Sequence, residues 1–149
     1  MKLSIVLPIH NEYENLNSLL TEWYKELKKI SHISFEFVLV EDGSTDGTKE
    51  LIKKLENVYP ILNLSSEKKR GYTRAVLDGI TSSSGDYILC TDSDNQIKVK
   101  SLIDNISKLP EENFFLIGYR NPRRDPINRI IYSKLFKTLH IILFKTKLK

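Results

Sequence analysis

Two kinds of apolar pattern alternate along the chain. Short continuous apolar runs bounded by polar residues or proline are typical of buried strands, and apolar residues repeated every three or four positions are typical of amphipathic helices. The continuous runs predict five strands, at residues 3–7, 35–40, 61–64, 87–91 and 114–118. The helical spacing predicts five helices, at residues 12–30, 48 to about 57, 72–81, 99–109 and from Pro126 onward, the last capped by Asp125.

Strands that alternate with helices predict an α/β fold, in which a mostly parallel sheet carries helices on both faces. The length of 149 residues is that of one ordinary domain. In open sheets of this kind, ligands bind outside the carboxyl ends of the strands. The residues that follow each predicted strand are therefore the first candidates for chemistry.

Polar and mostly acidic clusters follow three of the predicted strands, at residues 10–12, 41–44 and 92–96. Because the carboxyl ends of parallel strands share one edge of a sheet, we expect these clusters to face a single crevice. Turn formation and helix capping explain some of these polar residues. Asp46, for example, is the expected cap of the helix predicted from Thr48.

Capping does not explain Asp92 and Asp94, which lie one residue apart after the fourth strand. Two carboxylates this close repel each other unless a cation lies between them, and carboxylate oxygens are ligands for Mg²⁺ or Mn²⁺. Gln96 offers a further oxygen on the same side of the loop. The pattern predicts a divalent metal site, and its position beside the other clusters strengthens an otherwise weak signal.

The composition excludes several classes of protein. The single cysteine, Cys90, excludes a disulfide framework and a cysteine-based zinc site, and it fits a reducing compartment. The first residues show no signal-peptide pattern, and no apolar stretch approaches the roughly 20 residues that a membrane span needs. We therefore expect a cytoplasmic protein.

The net charge of +4 is unevenly distributed, because residues 118–149 carry +8 and the rest of the chain carries −4. The basic stretch also contains an apolar stripe, formed by Ile127, Ile131, Leu135, Leu139 and Ile142. The stripe either covers the sheet or lies on an anionic membrane surface, which would make the chain peripheral on the cytoplasmic face. Nucleic acid is not an expected partner, because no recognised nucleic-acid module is visible and an acidic crevice repels a polyanion.

Three segments, 4–12, 38–48 and 85–96, resemble in order and spacing the inverting family-two glycosyltransferases, which have the GT-A fold. Residues 118–120 and the downstream Arg129 extend the resemblance toward the polyprenyl-phosphate (dolichyl-phosphate-type) sugar transferases. The resemblance covers nearly the whole chain. It implies transfer of a sugar from a nucleotide-diphosphate sugar, with inversion and with Mg²⁺ or Mn²⁺ as cofactor, to an acceptor for which a polyprenyl phosphate is the candidate.

The same resemblance assigns regions and site residues. It implies a single GT-A domain in which residues 1–118 bind the nucleotide sugar and residues 119–149 form a basic amphipathic C-terminal segment. The implied nucleotide-binding residues are Pro8, His10, Glu12, Val40, Asp42 and Ser93. The implied metal ligands are Asp92, Asp94 and Gln96, and the implied phosphate-binding residues are Arg120 and Arg129.

The chain departs from the family pattern at His10, where an aromatic residue is usual, and at Glu41, where Asp is frequent. Family domains continue beyond the equivalent of Lys149 with a segment that in many members carries the general base, so we expect a fragment or a truncated product. A phosphate acceptor would need no base, because it is already mostly dianionic at neutral pH. The alternatives are an inactive nucleotide-binding protein and a nucleotidyltransferase, and the absence of a glycine-rich, lysine-bearing loop disfavours the second.

Overall fold

The computed structural model describes residues 1–94, 97, 99–106 and 126–144. The strands are β1 (Lys2–Ile9), β2 (Ser34–Asp42), β3 (Ile61–Ser66) and β4 (Tyr87–Cys90). The helices are α1 (Tyr13–Leu27), α2 (Thr48–Leu55), α3 (Tyr72–Ser82), α4 (Val99–Ile106) and α5 (Ile127–Phe144). The chain divides into two compact units, Met1–Leu109 and Pro110–Lys149, which are described separately. The strand predicted at 114–118 and the cap predicted at Asp125 lie outside the described residues.

The strands of the first unit form one parallel sheet with the order β3-β2-β1-β4. β1 pairs with β2 along its whole length, from Lys2 opposite Ser34 to Ile9 opposite Glu41, and with β4 on its other side. This confirms the predicted α/β class. The order reverses direction between β1 and β4, and in parallel sheets such a switch point is where ligands bind.

Apolar cores cover both faces of the sheet, because successive strand side chains point to opposite faces. The larger core joins the odd-numbered positions of β1 and β2 to α1, and its members include Ile5, Leu7, Leu20, Trp23, Phe37 and Leu39. The smaller core joins even-numbered positions of the same strands to α3, and its buried members are Val6, Val38, Val40 and Ala75. The predicted placement of helices on both faces is therefore confirmed.

β1 continues through Pro8 to Ile9, two residues beyond the strand end predicted at Leu7. The pairing of β1 with β4 ends at Val6 opposite Cys90, so no ladder partner faces Pro8 on that side. The Pro8 carbonyl instead accepts the Ser93 hydroxyl at 3.0 Å. The N–H that proline lacks would point toward the β4 side, where β1 has no ladder partner at this position. Pro8 therefore costs the sheet no hydrogen bond.

Two helix ends differ from the prediction. α1 ends at Leu27, three residues before the predicted Ile30, because the N–H of Ile30 bonds to Leu27 in a tighter turn. The N-cap of α2 is Gly47, with a φ of 93°, and not Asp46.

Asp46 nevertheless joins the beginnings of two helices. Its Oδ1 accepts the N–H of Thr48 at 3.0 Å, and its Oδ2 accepts the N–H of Tyr13 at 3.1 Å. Burial opposes ionisation of this carboxyl, but the hydrogen bonds from the Thr48 hydroxyl and from the N–H groups of Tyr13 and Thr48 outweigh it and lower the pKa of Asp46. The two helices are thus anchored at the carboxyl edge of the sheet.

The second unit contributes one described helix, α5, and none of its residues is buried. Its exposed large apolar side chains include Ile127, Ile131, Tyr132, Leu135, Phe136 and Ile142. Within the described part of the chain, no helix is both long and apolar enough to cross a membrane.

A polar network closes the amino edge of the sheet around Glu36. The Glu36 carboxylate accepts the Ser4 hydroxyl at 2.7 Å, the Ser84 N–H at 2.9 Å and the Lys2 ammonium at 3.0 Å. Burial by itself would raise the pKa of Glu36, but these hydrogen bonds lower it from 4.5 to about 2. The network ties the beginnings of β1 and β2 to the turn before β4.

We expect Glu36→Gln to reduce the free energy of unfolding at pH 7 by roughly 3 kcal/mol, the equivalent of the pKa shift. Because the folded-state pKa is the lower one, wild type has this stabilisation fully above about pH 4.5 and loses it as the pH falls toward 2. Urea denaturation followed by Trp23 fluorescence at several pH values measures both effects. The exposed Glu67→Gln is the control, and an equal loss in both variants would contradict the assignment.

Candidate functional site

The predicted nucleotide-binding residues and two of the predicted metal ligands, Asp92 and Asp94, lie toward the carboxyl edge of the first unit. Asp42 ends β2, and Asp92 follows β4, so the two acids lie on strands that flank β1. The turn that begins α3 contacts both of them. Its backbone bonds to Asp42, and its Tyr72 hydroxyl bonds to Asp92. The switch point between β1 and β4 is therefore bordered by β1, β2, β4 and the first turn of α3.

Asp42 is a buried carboxylate, and each of its two oxygens accepts a backbone hydrogen bond. It is only 4% exposed, and it accepts the N–H of Arg70 at 2.7 Å and the N–H of Gly71 at 2.8 Å. The Arg70 Nε lies 4.0 Å from Oδ1. Burial opposes ionisation, but the two N–H groups and the nearby charges of Arg70 and His10 lower the pKa of Asp42. Asp42 is therefore an anion at neutral pH, held at the mouth of the crevice.

His10 lies beside this carboxylate at the end of β1. Its Nδ1 is 2.9 Å from the backbone oxygen of Asp42. A carbonyl oxygen only accepts hydrogen bonds, so Nδ1 carries the proton. This bond orients the ring and leaves Nε2 for other partners.

Besides Asp42, three of the predicted nucleotide-binding residues are buried, namely Pro8, Val40 and Ser93. Pro8 and Ser93 bond to each other across the ends of β1 and β4. The side chain of Val40 is fully buried in the smaller core. Only the backbone atoms of Pro8 and Val40 could therefore contact a nucleotide. Their buried side chains pack in the protein and hold the ends of β1 and β2 in place.

Hydrogen bonds lock the loops after β1 and β2 to each other. Asn11 has a φ of 58°, donates its N–H to Ser44 Oγ at 3.0 Å and accepts the N–H of Thr45 at 2.9 Å. Beside it, the N–H of Glu12 donates to Thr48 Oγ1 at 3.0 Å. Asn is one of the few residues that adopts a left-handed conformation at low cost. The loops therefore form one preorganised rim.

Asp92 and Asp94 are exposed, unlike Asp42. Asp92 Oδ1 accepts the Tyr72 hydroxyl at 3.2 Å, and Gln96 lies outside the described residues. No three His, Cys, Asp or Glu residues in the described part of the chain form a metal-binding group. Two exposed carboxylates still fit Mg²⁺ or Mn²⁺, because such ions take one or two protein carboxylates and fill their remaining positions with water and substrate phosphates.

The two predicted phosphate-binding arginines do not belong to the described part of the first unit. Arg120 lies outside them, and Arg129 is exposed in the first turn of α5, in the second unit. Sequence reasoning missed Arg70, which lies between two acids and bonds to Asp78 at 2.8 Å. The signal was a basic run, Lys68 to Arg70, placed between a predicted strand and a helix.

The loop after β2 makes a close approach to the segment that holds Asp42. Gly43 has a φ of 67°, and a Cβ at this position would lie 2.5 Å from the backbone nitrogen of Lys69. Glu41 closes the same corner, since its buried carboxylate accepts the N–H of Ser44 and the hydroxyl of Ser65. Glycine is therefore required at Gly43 for both conformation and space.

Comparison with known proteins gives consistent results. Residues 4–148 match the family model described as "Glycosyl transferase family 2". The dolichol-phosphate mannosyltransferase of Pyrococcus furiosus is 34% identical over 136 residues, which cover 91% of this chain and 38% of that protein. An undecaprenyl-phosphate 4-deoxy-4-formamido-L-arabinose transferase of Proteus mirabilis is 27% identical over 141 residues, which cover 93% and 43%. The chain thus spans about two fifths of the length of these curated relatives.

Two solved structures are similar to the chain. S. aureus TarS 1-349 in complex with UDP-GlcNAc has a TM-score of 0.59 and 26% identity, over 72% of this chain and 30% of that one. The mannosyltransferase PcManGT of Pyrobaculum calidifontis, in complex with GDP-Man and Mn²⁺, has a TM-score of 0.53 and 22% identity, over 62% and 27%. At that identity, the second likeness shows the fold alone.

We expect Gly43→Ala to destabilise the chain clearly more than Gly47→Ala. Both substitutions place a side chain at positive φ, which costs on the order of 1 kcal/mol. At Gly47 the new Cβ would only touch the Tyr13 ring at 3.4 Å, whereas at Gly43 it would displace the backbone of Lys69. We therefore expect about 2 kcal/mol more for Gly43→Ala in urea denaturation. Equal losses would show that the close approach is unimportant.

Proposed function

The chain belongs to glycosyl transferase family 2, and from this membership we propose that the protein transfers a sugar from a nucleotide-diphosphate sugar to a polyprenyl phosphate, with inversion at the anomeric carbon. The membership confirms the resemblance carried by the three sequence segments. One structural observation supports the proposed activity most directly. The acids of those segments lie at the carboxyl ends of β2 and β4, on the two sides of β1.

The donor site that we propose has a rigid side and an open side. The nucleoside binds beside Asp42 and His10, where the loops after β1 and β2 are locked by hydrogen bonds. The diphosphate binds toward the exposed Asp92 and Asp94. The complex of S. aureus TarS with UDP-GlcNAc supports a nucleotide sugar as the donor, since that protein is similar to this chain.

Asp92 and Asp94 would hold Mg²⁺ or Mn²⁺, and the sequence adds Gln96 as a third oxygen ligand. The ion, when bound, would offset the negative charge that develops on the departing nucleoside diphosphate. The protein's own part is to hold two carboxylates at one strand end and to present them to solvent. We assign no such role to Asp42, because its carboxylate is only 4% exposed and holds the backbone before α3.

The names of the two curated relatives specify dolichol phosphate and undecaprenyl phosphate, and this supports a polyprenyl phosphate as the acceptor here. A phosphate monoester is mostly dianionic at neutral pH, so it can attack the sugar without a general base. The reaction therefore depends on positioning and on stabilising the leaving group.

We further propose that α5 binds an anionic membrane surface, which would bring the chain to a lipid acceptor on the cytoplasmic face. Most apolar side chains of α5 are exposed, and they lie among the cations Arg129, Lys134 and Lys137, with no acid in the helix. Basic residues beside an anionic bilayer each contribute about 1 kcal/mol of attraction, and apolar side chains add to it.

We expect Asp94→Ala to remove the contribution of Mn²⁺ to the binding of UDP or GDP, because half of the paired carboxylate charge is lost. Isothermal titration calorimetry with and without Mn²⁺ measures this contribution. Asp104→Ala, which removes an exposed acid from α4, is the matched control and should leave binding unchanged. Equal affinities for Asp94→Ala and wild type would overturn the metal assignment. Binding of a nucleotide sugar without transfer of its sugar to a polyprenyl phosphate, and so without release of the nucleoside diphosphate, would favour the inactive nucleotide-binding alternative.

We expect the Lys134→Gln/Lys137→Gln double variant to bind anionic vesicles about 30-fold more weakly than wild type, since two charges contribute about 2 kcal/mol. Binding should fall as salt rises and should vanish with neutral lipid. Vesicle co-sedimentation measures it, and Lys53→Gln/Lys54→Gln on the exposed side of α2 is the control. If wild type does not bind anionic vesicles at low salt, the apolar stripe of α5 packs against protein and not against lipid.

A further inference from the structure

Tyr72 makes an unexpected link across the candidate site. It is the first residue of α3, its side chain is 60% exposed, and its hydroxyl donates to Asp92 Oδ1 at 3.2 Å. The residue before it, Gly71, donates its N–H to Asp42 at 2.8 Å. The first turn of α3 is therefore held by Asp42 at the end of β2, and its Tyr72 side chain contacts Asp92 after β4.

We propose that Tyr72 is a positioning residue that orients the Asp92 carboxylate for the metal and the nucleotide sugar. The inference rests on the proposed donor site. It adds a residue from α3, outside the three segments that carry the family resemblance, and it assigns the hydroxyl a role in binding rather than in folding.

The chemistry of the donor favours this role. An exposed carboxylate rotates freely about its last bond, and Asp92 is also repelled by Asp94, which lies two positions away. A hydrogen bond to one oxygen restricts this rotation and leaves the second oxygen for a ligand. A hydroxyl does so without neutralising the carboxylate, whereas a lysine or arginine would compete with the metal for the same charge.

The hydroxyl remains a donor at neutral pH. A tyrosine hydroxyl ordinarily loses its proton only at about pH 10, so it is protonated at neutral pH. The Tyr72 hydroxyl therefore keeps its proton and donates a hydrogen bond to Asp92.

The link contributes little to folding. A hydrogen bond between exposed groups competes with water on both sides, so its loss leaves no buried group unpaired. The contacts that hold the start of α3 are those of the backbone with Asp42. A purely structural role would therefore predict no change in ligand binding, and a positioning role predicts a change in binding without a change in stability.

The test is Tyr72→Phe in the full chain, with Mn²⁺ alone as the first probe and UDP or GDP with Mn²⁺ as the second. The variant keeps the ring and loses only the hydroxyl. We expect about threefold to tenfold weaker Mn²⁺ binding, followed by the EPR signal of free Mn²⁺, which is the range expected for one hydrogen bond. The unfolding midpoint in urea should stay unchanged.

Tyr13→Phe is the matched control, because Tyr13 is also the first residue of a helix at this edge and is 51% exposed. Equal Mn²⁺ affinities in the Tyr72→Phe and Tyr13→Phe variants would overturn the proposal. The double variant Tyr72→Phe/Asp92→Asn should bind Mn²⁺ no more weakly than Asp92→Asn alone. If Tyr72→Phe weakens Mn²⁺ binding in the Asp92→Asn variant as much as it does in wild type, Tyr72 does not act through Asp92.

The outcomes separate this proposal from the proposed function. If wild type binds neither Mn²⁺ nor a nucleoside diphosphate, the donor site itself is wrong, and the role of Tyr72 is overturned with it. If wild type binds and Asp92→Asn weakens binding but Tyr72→Phe does not, only the positioning role fails.

Discussion

The buried carboxylate of Asp42 organises the carboxyl edge of this protein. A charge that is 4% exposed is tolerated only when its oxygens are hydrogen-bonded, and here the N–H groups of Arg70 and Gly71 supply the bonds. Those two residues come after β3, so the carboxylate at the end of β2 determines where α3 begins. The glycine beside it, Gly43, allows the two backbones to approach closely enough for this to happen. The position of α3 against the smaller core follows from these contacts.

The site has two halves with different physical properties. On the side of β1 and β2, side chain and backbone groups are bonded to each other, as at Asn11 and Ser44, so this half is formed before any ligand arrives. On the side of β4, Asp92 and Asp94 are exposed. A preformed half avoids the entropic cost of ordering loops around a ligand, and an exposed acidic half can accept a hydrated ion. This division suits a donor that combines a rigid nucleoside with a charged diphosphate.

Local pattern was sufficient for most of the secondary structure and for the α/β class, because buried parallel strands and amphipathic helices differ strongly in apolar spacing. It failed where contact with another element of the fold decides the outcome. Pro8 ends a strand in isolation, yet β1 continues through it because β4 no longer pairs at that point. Asp46 is a residue type that often caps helices, but Gly47 occupies the N-cap position of α2. Asp46 instead accepts hydrogen bonds from the beginnings of α1 and α2.

The amino-acid sequence was enough to identify the residues that can carry chemistry, since acids and amides that follow apolar strands reach one edge of any parallel sheet. How these residues are held depends on the folded chain, because the contacts that hold them join positions far apart in the sequence. Asp42 bonds to a backbone 28 residues later, and Tyr72 bonds to an acid 20 residues later. Such pairs depend on strand order and on the direction of each turn, and neither property leaves a trace in local apolar spacing. For this reason Asp42 and Asp92 could be predicted as site residues from the sequence, whereas the contacts of Arg70 and Tyr72 with them appear only in the fold.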